Sequence, residues 1–175
     1  MFEGEKEKGK KWKGKGYNNK NELVYELIDG KGNIKKYNTI GELIFEGEYI
    51  NGERNGKGKE YNENNLIFEG EYLNGEKSGN GKEYNGEHLM FEGEYLNGKK
   101  NGKGKLYDKD GNLIFEGEYL NGEKSGKGKV YDKDGNLIYE GEYLKGKKNG
   151  KGKEYEYSNQ FVYHEHSNGK RMIRR

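Results

Sequence analysis

Ile44-Phe45-Glu46-Gly47-Glu48-Tyr49-Ile50-Asn51-Gly52 decides the fold. Its side chains alternate with the two-residue period of a strand. Asn51-Gly52 is a turn dipeptide, because Gly, and Asn less readily, adopts positive φ. Asn55-Gly56 reads as a second such dipeptide, and Lys57-Gly58-Lys59-Glu60-Tyr61 as the return strand. The unit is a β-hairpin. Helix is disfavoured by 31 glycines set inside the pattern rather than at its ends.

Outward from this stretch the same string recurs. Phe/Tyr-Glu-Gly-Glu-Tyr begins at Phe45, Phe68, Phe91, Phe115 and Tyr139, and a further tyrosine closes each unit at Tyr61, Tyr84, Tyr107, Tyr131 and Tyr155. The only change of length falls between that tyrosine and the next unit, so the connection there is a tolerant loop. Degenerate copies flank the five: one from Phe2 to Tyr17, a shortened one from Tyr25 to Tyr37, and a half unit from Tyr163 to Arg171. Atypical end units are expected of a repeat array. The organisation read from this is an N-terminal cap over 1–37, five regular repeats over 38–157, and a half repeat with a basic tail over 158–175.

Only 29% of the 175 residues are hydrophobic and 37% are charged, with a mean hydropathy of −1.39. Those values alone would describe a disordered chain. The periodic aromatics, among them 16 Tyr and 6 Phe, argue instead for order. One unit buries too few apolar side chains to offset the entropy of ordering its own backbone, so stability must come from pairing with neighbours.

A turn centred on Glu53-Arg54 would set Tyr49 opposite Gly58 and Glu48 opposite Lys59. The ring would then lie over bare backbone. A three-residue connection would place Lys59 beside Glu69, building a Glu–Lys ladder on one face. Phe45, Gly47 and Tyr49 would line the other. The expected fold is all-β: an elongated, twisted, single-layer antiparallel sheet of about seven tandem hairpins.

Residues 135 to 152, Gly135-Asn136-Leu137-Ile138-Tyr139-Glu140-Gly141-Glu142-Tyr143-Leu144-Lys145-Gly146-Lys147-Lys148-Asn149-Gly150-Lys151-Gly152, resemble the MORN (membrane occupation and recognition nexus) repeat. The units at Phe45, Phe68, Phe91 and Phe115 carry the same pattern, so the resemblance covers residues 40 to 157. It implies a long antiparallel sheet of hairpins and roles in protein–protein interaction, scaffolding, self-association and, in some members, peripheral membrane contact. The Asp-Gly-Asn-Leu connections are similar to those of a bacterial, antitoxin-like variant of the repeat. Tyrosine stands here at many places where family repeats carry Trp, and the first two units are eroded.

Chemistry is sparse. There is no Cys, so disulfides and thiolate chemistry are excluded. His164 and His166 share one side of a strand, but with no third ligand a solvated pair is expected there, and no metal. His88 is assigned to a surface connection. Asp108-Lys109-Asp110-Gly111-Asn112, echoed at Asp132 to Asn136, departs from calcium-loop spacing and reads as a hairpin connection. The Gly-Lys-Gly-Lys strings lack the Ser/Thr and the helix of a phosphate loop. No cofactor and no catalytic residue is assigned, and the chain is read as a non-enzyme.

Lysines 6, 8, 10, 11, 13 and 15, with Lys170, Arg171, Arg174 and Arg175, could meet anionic lipid or, interleaved with aromatics, single-stranded nucleic acid. The formal net charge is only +2, so the field largely cancels and nucleic acid is not the expected partner. No basic segment followed by an apolar stretch opens the chain, and no run of about 20 apolar residues occurs. A cytoplasmic protein is expected, with peripheral membrane attachment as the variant. The expected function is a scaffold for a protein partner or for self-association, docking on the ring face: Phe45, Tyr49, Phe68, Tyr72, Phe91, Tyr95, Phe115, Tyr119, Tyr139 and Tyr143. The alternatives are an anionic-lipid-binding module and an antitoxin-like protein that neutralises a partner toxin.

Overall fold

Alternating side chains and paired turn residues make every element a strand. The computed structural model describes residues 2–155 and 161–172, and among them there are sixteen strands and no helix. The predicted boundary at 157/158, Arg174 and Arg175 lie outside the described residues, as does the side chain of Tyr163. Strands β1–β3 form one antiparallel sheet and β4–β16 another, each in chain order. The chain is all-β and antiparallel, a series of tandem hairpins not closed into a barrel. The described C-terminal strands make an eighth hairpin where a half unit was expected. No helix among the described residues is long and apolar enough to cross a membrane. Two compact units are formed, residues 1–87 and 88–175.

The first unit holds β1 (Phe2–Glu7), β2 (Lys10–Tyr17), β3 (Leu23–Leu27), β4 (Gly32–Tyr37), β5 (Leu43–Ile50), β6 (Glu53–Asn62), β7 (Asn65–Leu73) and β8 (Glu76–Asn85). Strands β3 and β4 are tied only by the bridge Ile28↔Lys31, and the break between the two sheets falls there. Tyr25, Leu27 and Ile34 form a small core at this break, with Phe2, Val24 and Tyr49 packed against it.

The hairpin register corrects the sequence reading. The turn centres on Asn51 (φ 54°) and Gly52 (φ 72°), both in the left-handed region. Such a turn has the right-handed twist of the strands it joins. Tyr49 therefore faces Arg54, Gly47 faces Gly58, and Glu46 faces Lys59. Between those pairs Glu48 alone opposes Asn55, Gly56 and Lys57, so Asn55-Gly56 is a bulge within β6 and not a second turn. Lys59 does lie beside Glu69, as expected.

The second unit holds β9 (His88–Leu96), β10 (Lys99–Tyr107), β11 (Leu113–Leu120), β12 (Glu123–Tyr131), β13 (Leu137–Leu144), β14 (Lys147–Tyr155), β15 (Phe161–Ser167) and β16 (Lys170–Met172). His88 opens β9 and does not lie in the connection. The longer connections are closed by an aspartate. Asp108 accepts from the amides of Asp110 and Asn112, both at 2.9 Å, and Asp132 does the same for Asp134 and Asn136. The Asn112 and Asn136 side-chain amides also donate to these carboxylates, at 3.0 and 3.1 Å, and those bonds, with the backbone ones, hold the Asp108 and Asp132 side chains below the usual carboxylate range.

Turns also tie hairpins together. The Gly75 amide donates to the Arg54 carbonyl at 2.9 Å, Gly122 to Lys100 at 2.8 Å, Gly146 to Lys124 at 2.9 Å and Gly169 to Lys148 at 2.8 Å. Each turn is thus fastened to the return strand of the hairpin before it.

Candidate functional site

Within each unit the rings proposed for docking share one face of the sheet, and nine of the ten are buried. Phe45, Phe68, Phe91, Phe115 and Tyr139 are at most 1% exposed, and Tyr72, Tyr95, Tyr119 and Tyr143 lie between 4% and 7%. Tyr49 is half-buried. Edge-to-face contacts link them in a file. In the first unit it runs Tyr49–Phe45–Tyr72–Phe68, with centroids 5.5–5.9 Å apart. In the second it runs Tyr95–Phe91–Tyr119–Phe115–Tyr143–Tyr139–His166, at 5.3–5.8 Å. Perpendicular pairs set the positive edge of one ring on the negative face of the next, each worth about 0.5–1.5 kcal/mol beyond burial.

Glycine gives the rings their floor, though with different partners from those expected. A Cβ at Gly58 would meet Phe45 at 2.8 Å and Tyr72 at 3.0 Å, not Tyr49. Gly128 lies in the same way beneath Phe115 and Tyr143.

What covers the rings was missed by sequence reasoning. Arg54 lies 4.2 Å from the Phe45 centroid, Lys77 3.8 Å from Phe68, Lys100 4.0 Å from Phe91, Lys124 4.0 Å from Phe115 and Lys148 3.8 Å from Tyr139. These are cation–π lids, their aliphatic stems covering apolar surface. The signal was legible, since an Arg or Lys stands two residues before the bulge glycine in every regular unit: Arg54, Lys77, Lys100, Lys124 and Lys148.

Several lids are neutralised from within. Glu60 accepts from Arg54 at 2.6 Å and pairs with Lys77 at 3.0 Å. Burial raises its pKa, but Lys77 and Arg54 outweigh that and hold it below the usual range. Burial, together with the Glu60 charge, pushes the Tyr72 hydroxyl up. Glu154 takes Lys148 at 2.9 Å, His166 at 3.4 Å and His164 at 3.5 Å.

The expected solvated histidine pair is corrected here. His166 is only 5% exposed, because it stands in register with the tyrosine series, 23 residues after Tyr143, and stacks edge-on against Tyr139. Burial pushes its pKa down, with the Glu154 carboxylate opposing.

The opposite face carries the ladder. Tyr61, Tyr107, Tyr131 and Tyr155 donate to Glu46, Glu92, Glu116 and Glu140 at 2.6–2.8 Å. Lys105, Lys129 and Lys153 reach the last three of those carboxylates at 3.8, 3.5 and 3.0 Å. Burial, then the bond to glutamate, pushes Tyr61, Tyr107 and Tyr131 up to about 12. The second glutamate has a further use in two motifs: Glu48 and Glu94 accept from bulge amides, Lys57 at 3.3 Å and Lys103 at 3.2 Å.

In the units at Phe45 and Phe91 every residue of the five-residue motif therefore has a structural duty. The family model for the MORN repeat matches residues 45–66, 68–86, 91–113, 115–137 and 139–155, more than half of the chain. No curated protein matches it. MORN repeats commonly serve as protein or membrane interaction scaffolds and are generally non-enzymatic. On the repeat match and the hairpin architecture together, this chain belongs to the MORN-repeat family.

Proposed function

We propose that the chain is a non-enzymatic scaffold that binds a protein partner on the face bearing Phe45, Tyr49, Phe68, Tyr72, Phe91, Tyr95, Phe115, Tyr119, Tyr139 and Tyr143. One observation carries the reading: Phe45, Phe68, Phe91, Phe115 and Tyr139 are roofed by Arg and Lys side chains of their own sheet, and among the described residues no second layer covers them. A roof of long side chains can be paired or displaced by a partner, whereas a packed layer cannot. The buried rings shape and stiffen the face, and the lids and the half-buried Tyr49 meet the partner. Six of the carboxylates already have a structural role. Glu46, Glu92, Glu116 and Glu140 are held by tyrosines, and Asp108 and Asp132 by turn amides.

The lipid alternative has less behind it. Lys13 and Lys15 stand opposite Glu5 and Glu3 across β1 and β2, and Lys10 pairs with Glu53 at 2.8 Å. Much of the N-terminal basic cluster therefore already faces carboxylates.

The test is affinity capture with the tagged full chain from the soluble fraction of its source cell, beside flotation with phosphatidylserine vesicles. A stoichiometric protein retained at moderate salt is the expected result, and its identity separates a scaffold from an antitoxin-like role. Binding to vesicles alone, lost as salt rises, overturns the reading.

A further inference from the structure

One register position of the repeat carries a carboxylate in three of the five units and lacks it in two. The residue before each closing tyrosine is Glu60, Glu83, Leu106, Val130 and Glu154 in the five units. Glu60 serves two lids, Arg54 of its own hairpin and Lys77 of the next. Glu154 serves Lys148 in the same way. For Lys124 both corresponding positions, Val130 of its own hairpin and Leu106 of the preceding one, are aliphatic. Beneath it Phe115 is flanked across the sheet by those same two residues.

Lys124 is thus a half-buried ammonium 4.0 Å from the centre of an aromatic ring, in an apolar frame, with no ion pair among the described residues. Burial alone lowers its pKa, with no neighbouring charge acting on it. A charge held in that setting is poorly solvated and gains most from a counter-ion supplied from outside.

We propose that Lys124 is the anchor point of the partner site, where a carboxylate side chain of the partner protein takes the place that Glu60 and Glu154 fill internally. Leu106 and Val130 beside it select an acidic residue with aliphatic neighbours, so the partner segment is an extended Glu/Asp-Leu-type strand of low aromatic content. The inference rests on the scaffold reading and gives that partner its chemistry. Glutamate at position 130 would recreate the arrangement of the outer repeats and occupy the site from within.

The test uses the full chain with lysines labelled at Cε and Nζ, titrated with an alternating Glu/Leu decapeptide and, as control, its Gln/Leu counterpart. The expected result is a shift centred on the Lys124 signals with the acidic peptide only. Binding should weaken by about tenfold or more, the effect of one charged contact, in both Lys124→Gln and Val130→Glu. Val130→Glu should melt no lower than the parent, because Glu is native to that position elsewhere. Equal peptide affinity in Val130→Glu and parent overturns the inference, as does a response confined to other lysines. So does a Lys124 response to phosphatidylserine vesicles and not to the peptide. If a captured protein partner binds Val130→Glu as well as the parent, the scaffold reading stands and this inference falls. If neither peptide nor protein binds, both fall.

Discussion

A Cβ on Gly58 would sit against Phe45 and Tyr72 at once, so Gly58→Val drives two rings of one file off their floor. Overpacking of this kind costs about 1–3 kcal/mol. In a chain of this size that lowers Tm by about 2–4 °C per kcal/mol, read by circular dichroism. An unchanged midpoint would contradict the ring-over-glycine core. Sequence reasoning picked the right glycine and the wrong ring, because a glycine bulge at Gly56 leaves no break in the alternating pattern. His166 was legible by its 23-residue spacing from Tyr143, but an imidazole is not read as a core ring by type. It makes the array sensitive to acid. The folded chain holds the His166 pKa below its ordinary 6.5, so the unfolded chain binds more protons in that window. Stability is then complete above about pH 6.5 and falls as the pH drops. Lys148, Glu154 and His164 face the same ring, and Glu154 opposes the shift without reversing it. Thermal melts from pH 7.5 to 5.5 should show a fall in Tm that His166→Tyr, which restores the repeat's own ring, largely removes.

At the scale of the hairpin, the turn is the exacting part. Four regular turns place Asn before Gly, at φ near 50° for Asn51, Asn74, Asn97 and Asn121, whereas the fifth has Lys145 at φ 49°. Left-handed backbone costs most residues about 1–2 kcal/mol and Asn less. Lys145→Asn should therefore stabilise the chain by about 0.5–1 kcal/mol, seen as a higher denaturant midpoint at unchanged slope. A lower midpoint would mean that Lys145 has a role beyond the turn. Hairpins, strand alternation and the two Asp-closed connections could all be read from Asn-Gly, Phe-Glu-Gly-Glu-Tyr and Asp-Gly-Asn. The face of the lids was legible in the same way, since Lys124 has the strand parity of Gly128 and Lys127 does not. Their reach over the rings was not, because it depends on the two extra bulge residues that set Lys124 opposite Tyr119.

At the scale of the molecule, contacts within each unit run from a strand to its neighbour in sequence, so length is a free variable. Deleting residues 115–138 joins Ile114 to Tyr139 in the same register as Ile114 to Phe115. The shortened chain should unfold cooperatively with a denaturant slope reduced roughly in proportion to the surface removed. A collapse of the far-UV strand signal would show that the units are not interchangeable. The turn bonds add a sense of direction to this linear build. Gly122, Gly146 and Gly169 each reach back to Lys100, Lys124 and Lys148, and so fasten the backbone beneath the cation of the preceding hairpin. In each of these bonds a hairpin is latched by its successor and not by its predecessor. A ribosome releases the chain in that same order, so each of these hairpins is secured only once the next has emerged, and the growing array advances like a ratchet.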